Sequence, residues 1–205
     1  MKTHTEWKKN KGPTDRVRAA ALRGLLVSSD ELNVPPAILS RLSKEGELRR
    51  VRRGVYLGVD VEPHPLFEAA AIVKKTPRAV VGGLTALEYY GLTTTWPDGI
   101  WILTPRDQNT PQKKGLQVIR VAPELLEPEL GVDTIQVHGV EVRITGPTRT
   151  VLDCWKYTRR VSHTIALEGL RELRHSEHWD GRSFFRLARK LGLWSRLKPY
   201  VEALS

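Results

Sequence analysis

Within residues 14–57 the chain packs three short helical patterns, each cut off by a turn signal, and then two β-prone runs around an Arg-Arg-Gly tip. So dense a succession leaves few ways to fold. Val17, Ala20, Ala21, Gly24 and Leu25 recur at helical spacing, which predicts a first helix starting near Thr14 or Asp15. Ser28 and Glu31 have the spacing of a capping box, so a very short second helix is expected over residues 29–32, with Asn33 as its turn. Pro35 and Pro36 suit the first turn of a third helix, where a missing N–H costs little. That helix is expected from about Pro35 to Glu45, with Ile38, Leu39 and Leu42 inward and Gly46 as its stop. Leu48–Leu57 then reads as a hairpin whose tip is Arg52-Arg53-Gly54. Three helices followed by a basic hairpin is the element order of a winged helix-turn-helix.

Charge indicates what such a unit would meet. The formal net charge is +10, and it is unevenly distributed. Residues 1–57 carry 13 Lys/Arg against 6 Asp/Glu, residues 58–154 carry 9 against 12, and residues 155–205 carry 11 against 5. Two basic ends around a slightly acidic middle favour a polyanionic partner, nucleic acid above all, over charge spread for solubility. The apolar share, 40%, is ordinary for a globular protein. No apolar run approaches the roughly 20 residues of a membrane span. Met1–Gly12 is polar and lysine-rich, without the apolar core of a secretory signal, so a cytoplasmic protein with no membrane partner is expected. The single cysteine, Cys154, excludes an intramolecular disulfide and a four-cysteine zinc site.

The expected organisation is a disordered basic tail over residues 1–13, a winged helix-turn-helix over 14–61, and a second domain over 62–205. Gly58–Pro65, rich in proline and acidic residues, marks the boundary. Beyond it Leu66–Lys75 and Thr85–Tyr90 have helical patterns. Arg78–Val81, Ile100–Thr104, Leu116–Val121, Thr134–Val137 and Val140–Ile144 look like strands, the last two joined by a tight His138-Gly139 turn. Pro147 opens a helical region that continues to the C-terminus. The fold class is α+β, with a mostly antiparallel sheet and C-terminal helices.

A helix entering the major groove of DNA needs one face free of bulky apolar side chains. Ala37, Ser40, Arg41 and Lys44 supply such a face. Arg41 has the fork that matches guanine O6 and N7, Ser40 can bond a base edge or phosphate, and Ala37 permits close approach. Lys44, near the helix end, suits phosphate. Arg49, Arg50, Arg52 and Arg53 place four guanidinium groups on or beside the hairpin tip, fit for a phosphate backbone or a narrow minor groove. The plainer reading is a solvated charged hairpin; arginine rather than lysine at all four positions favours phosphate forks.

The stretch Leu39–Leu42 through Gly46, followed by Val51-Arg52-Arg53-Gly54-Val55-Tyr56, resembles the start of the AbiEi-type antitoxins of type IV toxin–antitoxin systems, a family of transcriptional regulators. The likeness continues in Leu84-Thr85-Ala86-Leu87-Glu88-Tyr89-Tyr90-Gly91-Leu92, in Pro147–Cys154 and in Ala166–Arg171. It implies a winged-helix N-terminal domain, a C-terminal antitoxin domain and no enzyme activity. It further implies an operon shared with a nucleotidyltransferase-like toxin, repressed by binding of this protein to inverted repeats in its own promoter. The toxin would be countered without requiring a complex. The family's DNA-contacting positions map to Ser40, Arg41, Lys44 and Arg49–Arg53.

Other residues invite functional readings. His163, His175 and His178 include a His-x-x-His spacing but no carboxylate or cysteine in a zinc pattern, so no metal is expected. Asp153, Cys154 and Glu168 fall in the helical region, and Cys154 beside Leu152 and Trp155 reads as a small core residue. Glu141-Val142-Arg143 resembles the acidic-then-basic strand of metal-dependent nucleases, with Asp133 as a second carboxylate. A DNA-targeted nuclease or other modifying enzyme is therefore the alternative function. Arg149 at a helix start suits either a phosphate or an ion pair with Asp153 at i+4. Arg182, Arg186 and Arg189 form one stripe of an amphipathic helix over Asp180–Lys190, a possible second nucleic-acid or partner surface. No cofactor is implied.

Overall fold

Pro13 opens helix α1 (Pro13–Leu22), one residue earlier than the pattern predicts, because its ring is already set for the first turn. The computed structural model describes residues 12–108, 110 and 114–204. Residues 1–11 of the expected basic tail lie outside the described residues. Val17, Ala20 and Ala21 form the buried face of α1. Helix α2 (Ser29–Leu32) has the predicted bounds, and Asn33 ends it in the left-handed conformation at φ 50°. The expected capping box is not formed. Ser28 sits at the N-cap in extended conformation, but its side chain makes no cap hydrogen bond, and Glu31 instead pairs with Lys74 at 2.5 Å. Helix α3 (Pro36–Lys44) buries Leu39 and Leu42.

Strands β1 (Leu48–Arg52) and β2 (Val55–Gly58) pair antiparallel around Arg53-Gly54, where Gly54 takes φ 76°. The register slips between Arg50 and Arg52, which re-phases the side chains near the tip. Val27 bridges to Tyr56 on the other edge of β2, so β2 is buried along its whole length. Helix α4 (Phe67–Val73) packs on β1 with a face of alanines.

The chain divides into two compact units. The first runs to Lys75 and takes in Gln136–Glu141; the second comprises Thr76–Ile135 and Val142–Ser205. In the first unit, Val17, Ala20, Val27, Leu32, Val34, Leu39, Leu42, Leu48 and Tyr56 make one apolar cluster. It is closed by the returning segment. Leu26 N–H donates to His138 O at 2.9 Å, His138 Nδ1 lies 2.8 Å from Gly24 O, and His64 N–H donates to His138 Nε2 at 2.9 Å. His138 and Gly139 both have positive φ, 49° and 76°, the conformation that a two-residue hairpin turn requires.

The remaining strands are β3 (Val80–Val81), β4 (Ile100–Pro105), β5 (Leu116–Val121), β6 (Val132–Val137) and β7 (Val140–Thr145). Among the described residues they form a five-stranded sheet in the order β5-β4-β3-β7-β6. This corrects the expectation of a mostly antiparallel sheet: the sheet is mixed. β3 pairs antiparallel with β4 but parallel with β7, and β4 pairs parallel with β5. Alternation along a strand fixes which face is buried; it carries no information about the direction of the neighbour.

Helix α5 (Gly83–Tyr89) packs on β4 and on α6 (Pro147–Lys156). Helix α7 (His163–His175) packs on α6, and α8 (Gly181–Lys190) on α6 and on α9 (Trp194–Ala203). Trp155 anchors the second unit's core. It is fully buried, and its indole N–H donates to Ala166 O at 2.9 Å, so a large apolar group is placed without stranding a donor. No helix among the described residues is long and apolar enough to cross a membrane.

Candidate nucleic-acid interface

The inward side of α3 is fixed by Leu39 and Leu42, with Ile38 half-buried, so residues three and four apart on its other side must face out. Ala37, Ser40, Arg41 and Lys44 are all exposed there. Arg41 donates to Thr14 Oγ1 at 3.1 Å and lies 3.6 Å from Glu45. Both contacts are at the surface, where a pair of this kind contributes about 0–1 kcal/mol, so the guanidinium can exchange them for another acceptor.

The helix is held from behind. Arg18 of α1 makes two hydrogen bonds to Glu47, at 2.7 and 2.6 Å, across the turn that follows α3. The Arg18 hydrogen bond holds the Glu47 carboxyl below its usual range, so its charge is matched within the protein. Arg16 donates to Asn33 O at 2.9 Å, which ties α1 to the turn between α2 and α3. Sequence reasoning missed both arginines as positioning groups. Their spacing on α1 is visible, but their partners are not local.

The four hairpin arginines fall into two pairs. Arg50 and Arg53 are exposed. Arg49 is half-buried and donates to the carbonyls of Val59 and Val61 on the segment leaving β2. Arg52 is half-buried and lies 3.8 Å from Glu68 of α4. The alternation of strand side chains, interrupted by the irregularity between Arg50 and Arg52, produces this division.

In the second unit Arg182, Arg186 and Arg189 are exposed on α8. Arg186 donates to Ser183 Oγ at 3.2 Å, and Arg189 stacks 5.6 Å from the Phe185 ring centre. Phe184 and Ala188 hold the opposite face in the core.

The remaining candidates have other partners. His163 lies against Trp155 and Tyr200, His175 Nδ1 against Arg171 O, and His178 against Tyr90. Among the described residues no cluster of three or more His, Cys, Asp or Glu side chains is placed to hold a metal. Cys154 is buried, and burial pushes its thiol far above the range of a reactive thiolate. Glu168 accepts from Thr93 Oγ1, Thr94 N–H and Thr94 Oγ1, clasping the loop after α5. Arg149 pairs with Asp153 inside the core, Nε to Oδ1 at 3.0 Å. Glu141 stands beside the His138-Gly139 turn, whereas Asp133 lies at the other end of β6, next to Gly146.

No curated protein sequence matches the chain. Its fold is similar to that of a solved structure, the crystal structure of the RV2827C protein from Mycobacterium tuberculosis. The TM-score is 0.63 and the identity 16%, over 94% of this chain and 77% of that one. At that identity the likeness is one of fold. The α1–β2 segment carries the more specific signal: residues 15–57 match the family described as transcriptional regulator, AbiEi antitoxin.

Proposed function

We propose that the protein is a DNA-binding transcriptional autorepressor and the antitoxin of a type IV toxin–antitoxin pair. One observation carries this reading: inside the segment that matches the regulator family, α3 presents Ala37, Ser40, Arg41 and Lys44 on one exposed face. In this reading residues 14–61 act as a winged helix-turn-helix, with α3 reading the major groove and the β1–β2 hairpin as its wing. Arg41 reads a base, and Lys44, Arg50 and Arg53 neutralise phosphates. Arg49 and Arg52 shape the hairpin from within. Arg182, Arg186 and Arg189 add a second surface for nucleic acid or a partner. The DNA is an inverted repeat in the protein's own promoter, the functional partner is a nucleotidyltransferase-like toxin, and the setting is the cytoplasm. Residues 62–205 serve as the antitoxin domain and carry no catalytic centre.

Titration of the full chain against duplex from its own promoter, alongside random duplex, tests this. Affinity for the promoter should exceed that for random duplex by about a thousandfold or more. It should fall steeply with salt, each neutralised phosphate adding about −0.9 to the log–log slope. Equal affinity for both duplexes at every salt concentration would refute the repressor reading.

A further inference from the structure

From Gly181 to Val201 the chain carries six Lys/Arg and no Asp/Glu. Helix α8 holds four of the six, all exposed, while Phe184 and Ala188 fix its other side in the core. Arg182, Arg186 and Arg189 stand at i, i+4 and i+7, so they line one face. The stripe is about 10 Å long, the axial rise of about three phosphates along one strand. Elsewhere exposed cations have carboxylate partners: Arg18 has Glu47 at 2.6 Å, Lys75 has Asp30 at 3.0 Å and Arg78 has Asp107 at 3.1 Å. Among the described residues no cation of α8 forms an ion pair. The N-cap Asp180 accepts from the Arg182 backbone N–H and feels Arg186 at longer range. Like charges one turn apart repel, and a polyanion laid along them removes that cost.

Charge alone would suit any polyanion, but the stripe also contains an aromatic ring. Phe185 lies three residues after Arg182 and four before Arg189, and it is 39% exposed. Its ring meets that of Trp194, half-buried on α9, at 4.8 Å and 88°, and the Arg189 guanidinium lies over it at 5.6 Å. Packing on Trp194 holds the ring in place and still leaves more than a third of the residue in solvent. Aromatic rings and guanidinium planes both take a nucleobase on their faces. A duplex keeps its bases stacked inside, and an acidic polypeptide offers charge without planar faces. An unpaired strand supplies phosphates and bases together, and the long unpaired strands of a cell are RNA.

We propose that this face of α8 is a docking surface for single-stranded RNA. Arg182 and Arg186 hold phosphates, and Phe185 with Arg189 stacks a base. This gives the second surface of the reading above a definite occupant, and it holds whether or not α3 reads a promoter.

Fluorescence anisotropy of a short labelled oligouridylate tests the assignment. The full chain is used with Arg41→Ala/Arg50→Ala/Arg53→Ala as background, which silences the face proposed for duplex DNA. In that background the RNA should bind saturably and about tenfold or more tighter than a random duplex of equal length. Adding Arg182→Gln/Arg186→Gln/Arg189→Gln should weaken the RNA by about tenfold or more and lower its log–log salt slope by about 2. Phe185→Leu keeps an apolar contact for Trp194; it should weaken the RNA by about tenfold with the slope unchanged. Inorganic polyphosphate, a polyanion without bases, should be weakened by the arginine variant and not by Phe185→Leu. Lys75→Ala/Arg78→Ala, which removes two exposed cations elsewhere, should leave RNA binding as it was. Unchanged RNA binding by the arginine variant or by Phe185→Leu would overturn the proposal. So would tighter binding of the duplex, or of polyglutamate, than of the RNA in the same background.

Discussion

Arg149 and Asp153, one helical turn apart on α6, face each other with Nε to Oδ1 at 3.0 Å and with both side chains out of solvent. The two partners are not equivalent. A carboxyl can take up a proton and become neutral, and burial already pushes that of Asp153 above its usual range against the pull of Arg149. A guanidinium has no such escape.

Breaking the pair should therefore be asymmetric. Asp153→Ala strands a buried cation and is expected to cost about 3–5 kcal/mol. Arg149→Met fills much of the same volume and leaves a carboxyl that can neutralise, so its cost should be smaller, about 2 kcal/mol or less. Urea unfolding of the two variants at neutral pH measures both. A larger loss for Arg149→Met would contradict the argument.

The hairpin arginines should separate in two assays. Arg50→Ala and Arg53→Ala should each reduce the salt slope of DNA binding by about 1, with little change in stability. Arg49→Ala removes a donor from the Val59 and Val61 carbonyls, so thermal stability should fall by about 1–3 kcal/mol while the salt slope holds. Arg41→Ala should cost about 1–3 kcal/mol on the promoter site and far less on random duplex. An identical pattern for Arg49 and Arg50 would show that the inward and outward positions are not distinct.

His64 gives the first unit an acid sensitivity. Its imidazole is held below its usual 6.5 mainly by desolvation and secondarily by His138. On acidification the unfolded chain takes up the proton first. The stabilisation is thus complete above about pH 6.5 and is lost as pH falls below it. His64 Nδ1 also accepts from Leu66 N–H at 3.0 Å, a bond that protonation abolishes. Thermal melts from about pH 7.5 to about pH 5.5 should show a falling Tm. His64→Asn keeps an acceptor for Leu66 without titrating in that range, and should flatten the dependence. If the variant follows the same curve, His64 is not the responsible group.

Glu168 should matter through its charge. Its carboxyl is held below the usual carboxylate range chiefly by the Thr94 backbone N–H, with the two threonine hydroxyls adding to it. A depressed carboxylate contributes stability above its unfolded pKa and loses it as pH falls through the folded value. Glu168→Ala should cost about 1.5–3 kcal/mol at neutral pH, with Glu168→Gln between it and the parent. The gap between parent and Glu168→Gln should close below about pH 4. Denaturant titrations at the two pH values decide it, and a gap that persists in acid would rule out the charge as its source.

Local signals were legible in the sequence, and non-local ones were not. The bounds of α2 and β5 and the conformation of the His138-Gly139 turn follow from residue type and periodicity within a few positions. The inward face of α3 follows from Leu39 and Leu42, so its outward face could be named from the chain alone. Arg49 and Arg50 could not be told apart in the same way, because the irregularity before Arg52 and the carbonyls of Val59 and Val61 are properties of the folded hairpin. Ser28 and Glu31 have the right spacing for a reciprocal cap, yet the Ser28 side chain makes no cap bond and Glu31 pairs with Lys74, 43 positions further on. The mixed sheet was equally out of reach: nothing inside Val80-Val81 announces that one neighbour runs with it and the other against it.

The polypeptide visits the first unit twice, and His138 on the second visit satisfies the carbonyl of Gly24 and the amide of Leu26. A gene shortened after Lys75 would encode every contact proposed for α3 and the hairpin and still leave those two groups, and the His64 amide, without their acceptor or donor. Dissection by simple truncation should yield an unstable module. Grafting the Gln136–Glu141 turn back through a short linker is the route to an autonomous reader head.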